Sequence, residues 1–243
     1  MLVHSSLSAL GYVVGRARAA VMALVETLGP SGTLVVPTHS GELSDPRNWT
    51  HPPVPESWWP TVRTYLPAYD ANLTATRRMG AIAEMVRHWP GAQRSAHPRV
   101  SFCAVGPNAQ FITDNHGLDH GFDEHSPLAR LYDLGADVLL LGVGHLHNTS
   151  LHLAEGRAPA QRPVITEGAP MMVKGSRQWV TYPMLDYDAY DFEQVGGAAA
   201  QAGLERSGEV GAAPSRLLSV VPLVDFATTW FGEHRTWRSS SAP

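Results

Sequence analysis

Cysteine is almost absent from this chain: Cys103 is the single one among 243 residues, so no disulfide can form within the chain. Long apolar runs are lacking as well, and none approaches the roughly 20 residues that a membrane-spanning helix needs. The N-terminus has no basic region followed by an apolar core, which a signal peptide would show. From these absences we expect a soluble protein of the reducing cytoplasm.

Strong charge of either sign is also missing. The chain has 18 basic and 22 acidic residues, a formal net charge of −4 at pH 7, and no basic run that would indicate nucleic-acid binding. Hydrophobic residues, in contrast, make up 44% of the chain, which suffices for one sizeable core. We expect a single domain over residues 1–238 and a disordered tail over residues 239–243.

The order of the expected elements indicates an α/β fold. Apolar residues recur at helical spacing over residues 16–28, between a strand at the chain start and a second one at 33–37, and this order predicts parallel pairing. Residues 164–165 and 171–182 read as antiparallel strands that turn at Gly175. We therefore expect a central, mostly parallel sheet flanked by helices, with an antiparallel-rich C-terminal part. The other expected helices are 79–89, 107–114, 126–135, 188–202 and 224–231, and the other expected strands are 100–105, 138–143 and 217–221.

The stretch from Val138 to Glu155 carries the strongest functional signal. An apolar strand ends at a glycine turn, and Asn148 has the character of a helix N-cap, which places His152 in the first turn of a helix. The positive end of the helix dipole disfavours imidazolium, so His152 suits a general base. Glu155, three residues later, lies on the same side of the helix. The alternative is an ordinary histidine near a helix end.

Two further stretches could bind phosphate. His4-Ser5-Ser6-Leu7 follows the first strand, where backbone N–H groups could meet a phosphate or carbonyl oxygen. Thr76 to Gly80 precedes a helix and contains Arg77 and Arg78. An ordinary capped turn and a solvated basic face are the respective alternatives, and no Walker lysine is present.

Histidines are concentrated in the middle of the chain, which raises the alternative of a metal-dependent hydrolase. No His-Glu-x-x-His pattern occurs, so the spacing does not specify a zinc site. The histidines concerned are His116, His120, His125, His145, His147 and His152.

Several blocks, taken in order, resemble the aminoglycoside 3-N-acetyltransferases, the antibiotic N-acetyltransferase family. The resemblance extends to about Phe231 and is strongest in the last block. The blocks are His4–Gly11, Gly32–Thr38, Pro53–Trp59, Arg78–Glu84, Arg94–Pro98, Ser126–Leu128 and Leu140–Glu155. The resemblance implies a family-specific α/β fold and acetyl transfer, without a metal, from acetyl-CoA to the 3-amino group of a 2-deoxystreptamine antibiotic, giving antibiotic resistance. Family members usually carry a further N-terminal segment, whose loss is expected to expose core surface and to affect activity and stability.

The resemblance also implies roles for particular residues. His152 takes the position of the family's catalytic histidine, and either Glu155 or Glu124 could orient its ring. We expect Thr149 to donate to the tetrahedral oxyanion, and His4 is a further candidate for the catalytic group. The residues expected at CoA are His4, Ser5, Ser6 and Leu7, with Thr76, Arg77, Gly80, Ser101 and Phe102 as further candidates; those expected at the cationic antibiotic are Tyr65, Asp70, Glu124, Asp191 and Glu193. Two alternatives remain: another amine as acceptor, and an inactive member that binds CoA without turnover.

Overall fold

The computed structural model describes residues 1–50, 52–119, 121–159 and 163–235. Its strands are β1 (Leu2–Ser5), β2 (Leu34–Pro37), β3 (Gln93–Arg94), β4 (Phe102–Val105), β5 (Asp137–Leu141), β6 (Val164–Val173), β7 (Ser176–Leu185), β8 (Glu205–Val210) and β9 (Ala213–Ser219). Its α-helices are α1 (Arg16–Leu28), α2 (Trp59–Tyr65), α3 (Gly80–Arg87), α4 (Ala109–Thr113), α5 (Pro127–Asp133), α6 (Ser150–Arg157), α7 (Phe192–Gln201) and α8 (Val220–His234). Within these ranges, no helix has the length and apolarity that crossing a membrane requires.

Seven strands form one sheet in the order β3-β4-β2-β1-β5-β9-β8. The three central strands, β2, β1 and β5, are parallel, and Leu2 to Ser5 of β1 align in register with Val138 to Leu141 of β5. The outer strands pair antiparallel on both sides. The α/β fold with a central sheet flanked by helices is confirmed. Two of the six strand pairings in the sheet are parallel, and they lie at its centre, where most of the strand residues are apolar.

Helices cover both faces of the sheet because the strand side chains alternate between two apolar cores. Val138 and Leu140 of β5 pack on the face covered by α4 to α8, whereas Leu139 and Leu141 pack on the face covered by α1 and α3. This alternation is the period of two that a strand imposes. Cys103 of β4 is fully buried in the second core, and burial raises the pKa of its thiol to about 12.

The segment between β2 and α3 is an ordered excursion from the sheet. Short 3-10 helices and α2 lie within it, and Arg94 holds it to the sheet by donating to the carbonyl oxygens of Thr38 at 2.6 Å and Thr74 at 2.5 Å. Beside it, β6 and β7 form a separate two-stranded antiparallel hairpin. Lys174 and Gly175 at its turn both have positive φ, which a tight hairpin turn requires.

Most expected elements are present with shifted ends. The helix expected at 16–28 has those bounds in α1, and the hairpin turn at Gly175 is confirmed. The sequence analysis missed β8, because this edge strand is exposed and polar and pairs with β9 alone. The expected strand at 217–221 is the end of β9 together with the start of α8. The expected tail, 239–243, lies outside the described residues.

Gly142 ends β5 in a conformation that favours glycine, with φ of 69°. A Cβ there would lie 2.6 Å from Cβ of Ala9 and 3.1 Å from Cβ of Ala213. We expect Gly142→Ala to lower the free energy of unfolding by about 2–4 kcal/mol, through backbone strain plus overpacking. Gly135→Ala is the matched control, because Gly135 has φ of 58° and nothing within 4 Å of the added Cβ. It should cost only about 1 kcal/mol. Urea denaturation measures both, and equal losses would contradict the overpacking.

Candidate active site

A cavity of about 1170 Å³ opens at the carboxyl ends of β1 and β5. These strands are parallel neighbours, but the chain leaves β1 toward α1 on one face of the sheet and leaves β5 toward α6 on the other. Such a divergence opens a crevice between the two connections, where α/β sheets commonly bind ligands. The cavity exceeds the size of a typical single-ligand pocket, and therefore has room for two substrates.

His152 lies on the cavity wall, in the first turn of α6. The helix begins at Ser150, whose amide and hydroxyl both donate to the side-chain oxygen of the buried Asn148. Nδ1 of His152 makes a hydrogen bond with the carboxylate of Glu155 one turn later. Because a carboxylate accepts only, Nδ1 carries a proton, and in the neutral ring Nε2 is then the acceptor nitrogen. The expected partner Glu124 is elsewhere: Arg157 donates to it at 2.6 and 2.9 Å.

Three aromatic rings hold the imidazole of His152 in place. Phe122 stacks on it with ring centroids 4.7 Å apart and an interplanar angle of 12°. Tyr187 and Phe192 contact it at centroid distances of 5.2 and 4.8 Å. These contacts, together with the bond to Glu155, fix the orientation of the ring, which is the pre-organisation that a catalytic base needs.

Glu155 is fully buried and belongs to a cluster of charges beneath His152. Arg235, which follows α8, donates to Glu155 and to both carboxylate oxygens of Asp191. Burial by itself would lower the pKa of Arg235, yet the bond with Asp191 and the charge of Glu155 raise it above its usual value. All three side chains are nearly inaccessible to solvent, so the cluster is an internal ion network.

His4, at the end of β1, lies close to the start of α6. Its Nε2 atom is 3.4 Å from the amide nitrogen of Thr149 and 3.3 Å from the hydroxyl of Thr149. Burial lowers the pKa of His4 to about 3, and the nearby His147 and His152 add to this effect. His4 is therefore a neutral acceptor on the cavity wall, beside Thr149.

The cavity wall brings together the two stretches that were expected to bind phosphate. Ser5, Ser6 and Leu7 line it, and so do Arg77 and Gly80. Gly80 begins α3 with φ of 84°, and a Cβ there would lie 3.6 Å from the carbonyl oxygen of Ser5. Arg16 and Arg78 also line the cavity.

The structure keeps the remaining expected CoA residues outside the cavity lining. Thr76 donates its amide to Glu84, and Ser101 donates its hydroxyl to the carbonyl of Thr38 at 2.8 Å. Phe102 is fully buried in the core. These residues lie behind the cavity wall. Residue type alone does not distinguish such a position from one on the wall itself.

The residues expected to meet a cationic substrate are likewise not in the described lining. Tyr65 is 77% exposed on α2, Asp70 caps a turn through the amides of residues 72 and 73, and Glu193 accepts from the amide of Leu146 at 2.9 Å. Asp191 and Glu124 are engaged by arginines, as described above. Among the described residues that line the cavity, Asp186 is the sole carboxylate.

The clustered histidines serve different purposes. His116 is buried between the hydroxyl of Ser95 at 2.9 Å and the carbonyl of Gly121 at 2.6 Å, and His145 pairs with Glu205 at 2.8 Å. His120 lies outside the described residues. In the described part of the chain, no group of three or more His, Cys, Asp or Glu side chains could hold a metal ion.

Several site residues were missed by the sequence analysis. Asp186 and Tyr187 follow β7, Phe122 lies in the loop before α5, and Arg235 follows α8. They come from segments far apart in the chain, so local spacing could not connect them with His152. The one available signal was a cluster of polar and aromatic residues after a strand, at residues 186–192.

Comparison with known proteins identifies relatives for nearly the whole chain. A family model described as Aminoglycoside 3-N-acetyltransferase matches residues 2–232. The SPbeta prophage-derived aminoglycoside N(3')-acetyltransferase-like protein YokD of Bacillus subtilis (strain 168) is 45% identical, over 95% of this chain and 85% of its own length. Aminoglycoside N(3)-acetyltransferase IX of Micromonospora chalcea is 35% identical, over 95% of this chain and 86% of its own.

Solved structures agree with these matches. The crystal structure of YokD from Bacillus subtilis superposes with a TM-score of 0.94 at 44% identity, covering 96% of this chain and 86% of that one. The binary complex of AAC-IIIb with CoASH gives a TM-score of 0.85 at 28% identity, covering 98% and 91%. AAC-VIa bound to sisomicin gives 0.86 at 29% identity, covering 97% and 91%.

The buried His116 makes folding sensitive to acid. Burial lowers its pKa to about 4, while an unfolded histidine has a pKa of about 6.5. Below pH 6.5 the unfolded chain binds a proton that the folded chain does not, so the free energy of unfolding falls as the pH drops from 6.5 toward 4. Above pH 6.5 the contribution of His116 to stability is fully present. We expect this residue to account for about 3 kcal/mol of that loss.

Urea denaturation of the wild type and His116→Gln at pH 7 and at pH 4.5 tests this expectation. Glutamine retains a donor and an acceptor but does not titrate, so the variant should lose less stability between the two pH values. The same loss in both proteins would show that His116 does not contribute.

Proposed function

Because this chain belongs to the aminoglycoside 3-N-acetyltransferase family, we propose that it transfers acetyl from acetyl-CoA to the 3-amino group of a 2-deoxystreptamine aminoglycoside, with His152 as general base. The acetylated product is a neutral amide, so the drug loses a positive charge; this supports a role in antibiotic resistance. The single cysteine, buried in the core, fits a reducing compartment and supports a cytoplasmic location.

The observation that carries the proposal is the hydrogen bond between Nδ1 of His152 and Glu155 at the cavity wall. With the proton on Nδ1, the neutral ring offers Nε2 as its acceptor. An ammonium group cannot act as a nucleophile, so the acceptor reacts as the neutral amine after its ammonium proton has passed to solvent. The neutral amine must then lose one further proton to become an amide. A base in this position typically accelerates such a step by about 100- to 10,000-fold.

The reaction then proceeds in two steps. Nε2 of His152 takes a proton from the acceptor amine while the nitrogen lone pair forms a bond to the thioester carbonyl carbon, giving a tetrahedral intermediate. Its collapse breaks the carbon–sulfur bond, and CoA leaves with the proton from His152. The Glu155 carboxylate stabilises the imidazolium between these steps. Thr149, beside His152 on the wall, is the proposed donor to the oxyanion.

Acetyl-CoA is proposed to occupy the end of the cavity formed by Ser5, Ser6, Leu7 and Gly80, with His4 on the adjoining wall. Arg77, together with Arg16 and Arg78, supplies positive charge for the pyrophosphate and 3′-phosphate groups. The complex of the related AAC-IIIb with CoASH supports this co-substrate. No residue in this proposal requires a metal.

Asp186 is the proposed contact for an ammonium group of the acceptor. It is exposed and follows β7, close to Tyr187, which touches His152. The complex of the related AAC-VIa with sisomicin supports an aminoglycoside as acceptor.

The charge of the cavity favours a second candidate acceptor, an amine with fewer positive charges. The described lining holds four arginines, Arg16, Arg77, Arg78 and Arg99, against the carboxylate of Asp186. Arg99 is paired with the buried Glu167 at 2.6 Å. A polycationic antibiotic would be attracted more strongly by a cavity with several carboxylates.

His152→Ala should lower kcat for acetyl transfer by about 100- to 10,000-fold, because the base is lost. A thiol-release assay with acetyl-CoA and sisomicin measures the rate, and calorimetric binding of acetyl-CoA should stay unchanged. His125→Ala, at an exposed histidine outside the cavity lining, is the matched control. An unchanged kcat/KM in His152→Ala would rule out the base.

Asp186→Asn should raise KM for sisomicin about three- to tenfold with little change in kcat, because an exposed ion pair contributes to binding only modestly. The effect should shrink as salt is added. Asp133→Asn removes an exposed carboxylate on α5 that does not line the cavity and should change neither constant. If Asp186→Asn leaves KM unchanged, or if a monoamine is the better substrate in the same assay, recognition of a polycation through Asp186 is wrong.

A further inference from the structure

We propose that the buried pair formed by Arg235 and Asp191 is a positioning element for the reaction: it holds the carboxylate of Glu155 against His152 and balances its charge. This inference rests on the proposed function of His152 as general base. It gives a role in the reaction to two residues that do not line the cavity.

Both oxygens of the Glu155 carboxylate are engaged in hydrogen bonds. One of its oxygens bonds to His152, and the other accepts from Arg235 and from the amide of Asp188 at 3.4 Å. The carboxylate is thus held from both sides. It has no accessible surface, and a buried carboxylate without a cation beside it would take up a proton. Arg235 therefore favours the ionised carboxylate of Glu155, which can accept a hydrogen bond from Nδ1 of His152.

Arg235 is itself held in a fixed position. Its guanidinium grips Asp191 with two hydrogen bonds, one of them from Nε at 2.7 Å, and donates to the carbonyl of Asp188 at 2.9 Å. Its Cζ atom lies 3.9 Å from the ring centroid of Phe231. A forked geometry of this kind fixes direction as well as distance, so α8 and α7 together determine where the Glu155 carboxylate lies.

The charges of these side chains give Asp191 a role of its own. Among the described groups, Glu155 and Asp191 carry two negative charges and Arg235 one positive charge, so these three have a net charge of −1 while His152 is neutral. When His152 accepts the proton of the amine, the four groups together become neutral. Without Asp191, the charge of Arg235 would offset that of Glu155, and the imidazolium would lose part of its stabilisation. Asp191 thus allows Arg235 to hold Glu155 without weakening the base.

Other groups face His152 from the surrounding elements. His4 comes from β1, His39 follows β2, and Tyr187 follows β7. Burial, followed by the charges of His152 and His4, lowers the pKa of His39 well below its usual range. Burial likewise lowers the pKa of His4 to about 3. Both rings therefore stay neutral at neutral pH. His147 lines the same cavity, so the pH profiles are compared between the wild type and variants that all keep His147.

Asp191→Asn is the most informative variant, because it keeps the side-chain shape and removes one charge. We expect the acid limb of the kcat/KM profile to move about one pH unit lower and kcat to fall about tenfold, since a base with a less stabilised imidazolium is weaker. KM for acetyl-CoA should change less than twofold. A purely structural role would reduce the amount of active enzyme and leave the limb where it is.

Arg235→Met and Arg235→Lys test the other half of the pair. Methionine removes the guanidinium that bonds to both buried carboxylates. We expect kcat to fall about 10- to 100-fold, the range known for outer-shell partners that orient functional side chains in metal sites. Lysine restores the charge but not the fork, and should recover part of the rate. Arg157→Met is the matched control: it removes an arginine–glutamate pair from α6 outside the cavity and should leave the rate unchanged.

Nitrogen NMR of the His152 ring in the resting enzyme provides a readout that needs no turnover. We expect the wild type to carry the proton on Nδ1, and Arg235→Met to show a mixture of tautomers or protonation on Nε2. The dispersion of the spectrum also shows whether each variant is folded, because a misfolded chain would lose it. If Arg235→Met is misfolded, Arg235→Lys takes its place in this measurement.

The outcomes separate the two proposals. If the enzyme shows no acetyl transfer to any amine, yet the tautomer of His152 changes in Arg235→Met, the proposed function fails and the positioning element stands. If transfer occurs but Asp191→Asn changes neither the acid limb nor the ring nitrogen signals, the positioning element is wrong. An equal loss of rate in Arg157→Met would also overturn it.

Discussion

The hydrogen bond between Nδ1 of His152 and Glu155 is the interaction on which the proposed chemistry depends. It determines which ring nitrogen carries the proton and therefore which one is the acceptor in the neutral ring. A fully buried carboxylate is costly unless it is paired, so this bond requires Arg235 beneath it and Asp191 beyond. The tautomer of one side chain is thus connected to the packing of α7 and α8 against α6.

The topology of the sheet explains why the site lies where it does. β1 and β5 are adjacent and parallel, and the connections that follow them go to opposite faces. The crevice between these connections receives His4 from one strand and His152 from the helix after the other. The α3 side adds Gly80 and a group of arginines, and the loop after β7 adds Asp186. The cavity is therefore assembled from parts of the chain that are far apart in the sequence, with the acyl donor and the acceptor proposed to occupy different parts of it.

Features that depend on neighbouring residues were predictable from the sequence. The apolar run of β5, the glycine after it and the first turn of α6 were predictable from spacing, and so was the proximity of Glu155, which lies one helical turn from His152. The choice between Glu155 and Glu124 was not, because it depends on Arg157 engaging Glu124 across the surface. The carboxylates expected at a cationic substrate show the same limit: residue type indicates charge, but Asp191 is buried and Asp186 lines the cavity.

The sequence by itself determined the α/β class, the strand that leads to the site, the histidine in its first helical turn and the family to which the chain belongs. These features follow from hydrophobic period, turn residues and ordered motifs, all of which are properties of neighbouring residues. Only the tertiary structure decided which charges meet. Arg235 reaches Glu155 across 80 positions of the chain, and no local pattern encodes such a contact. It forms because α8 packs against α6, and the burial that results makes an unpaired charge there too costly.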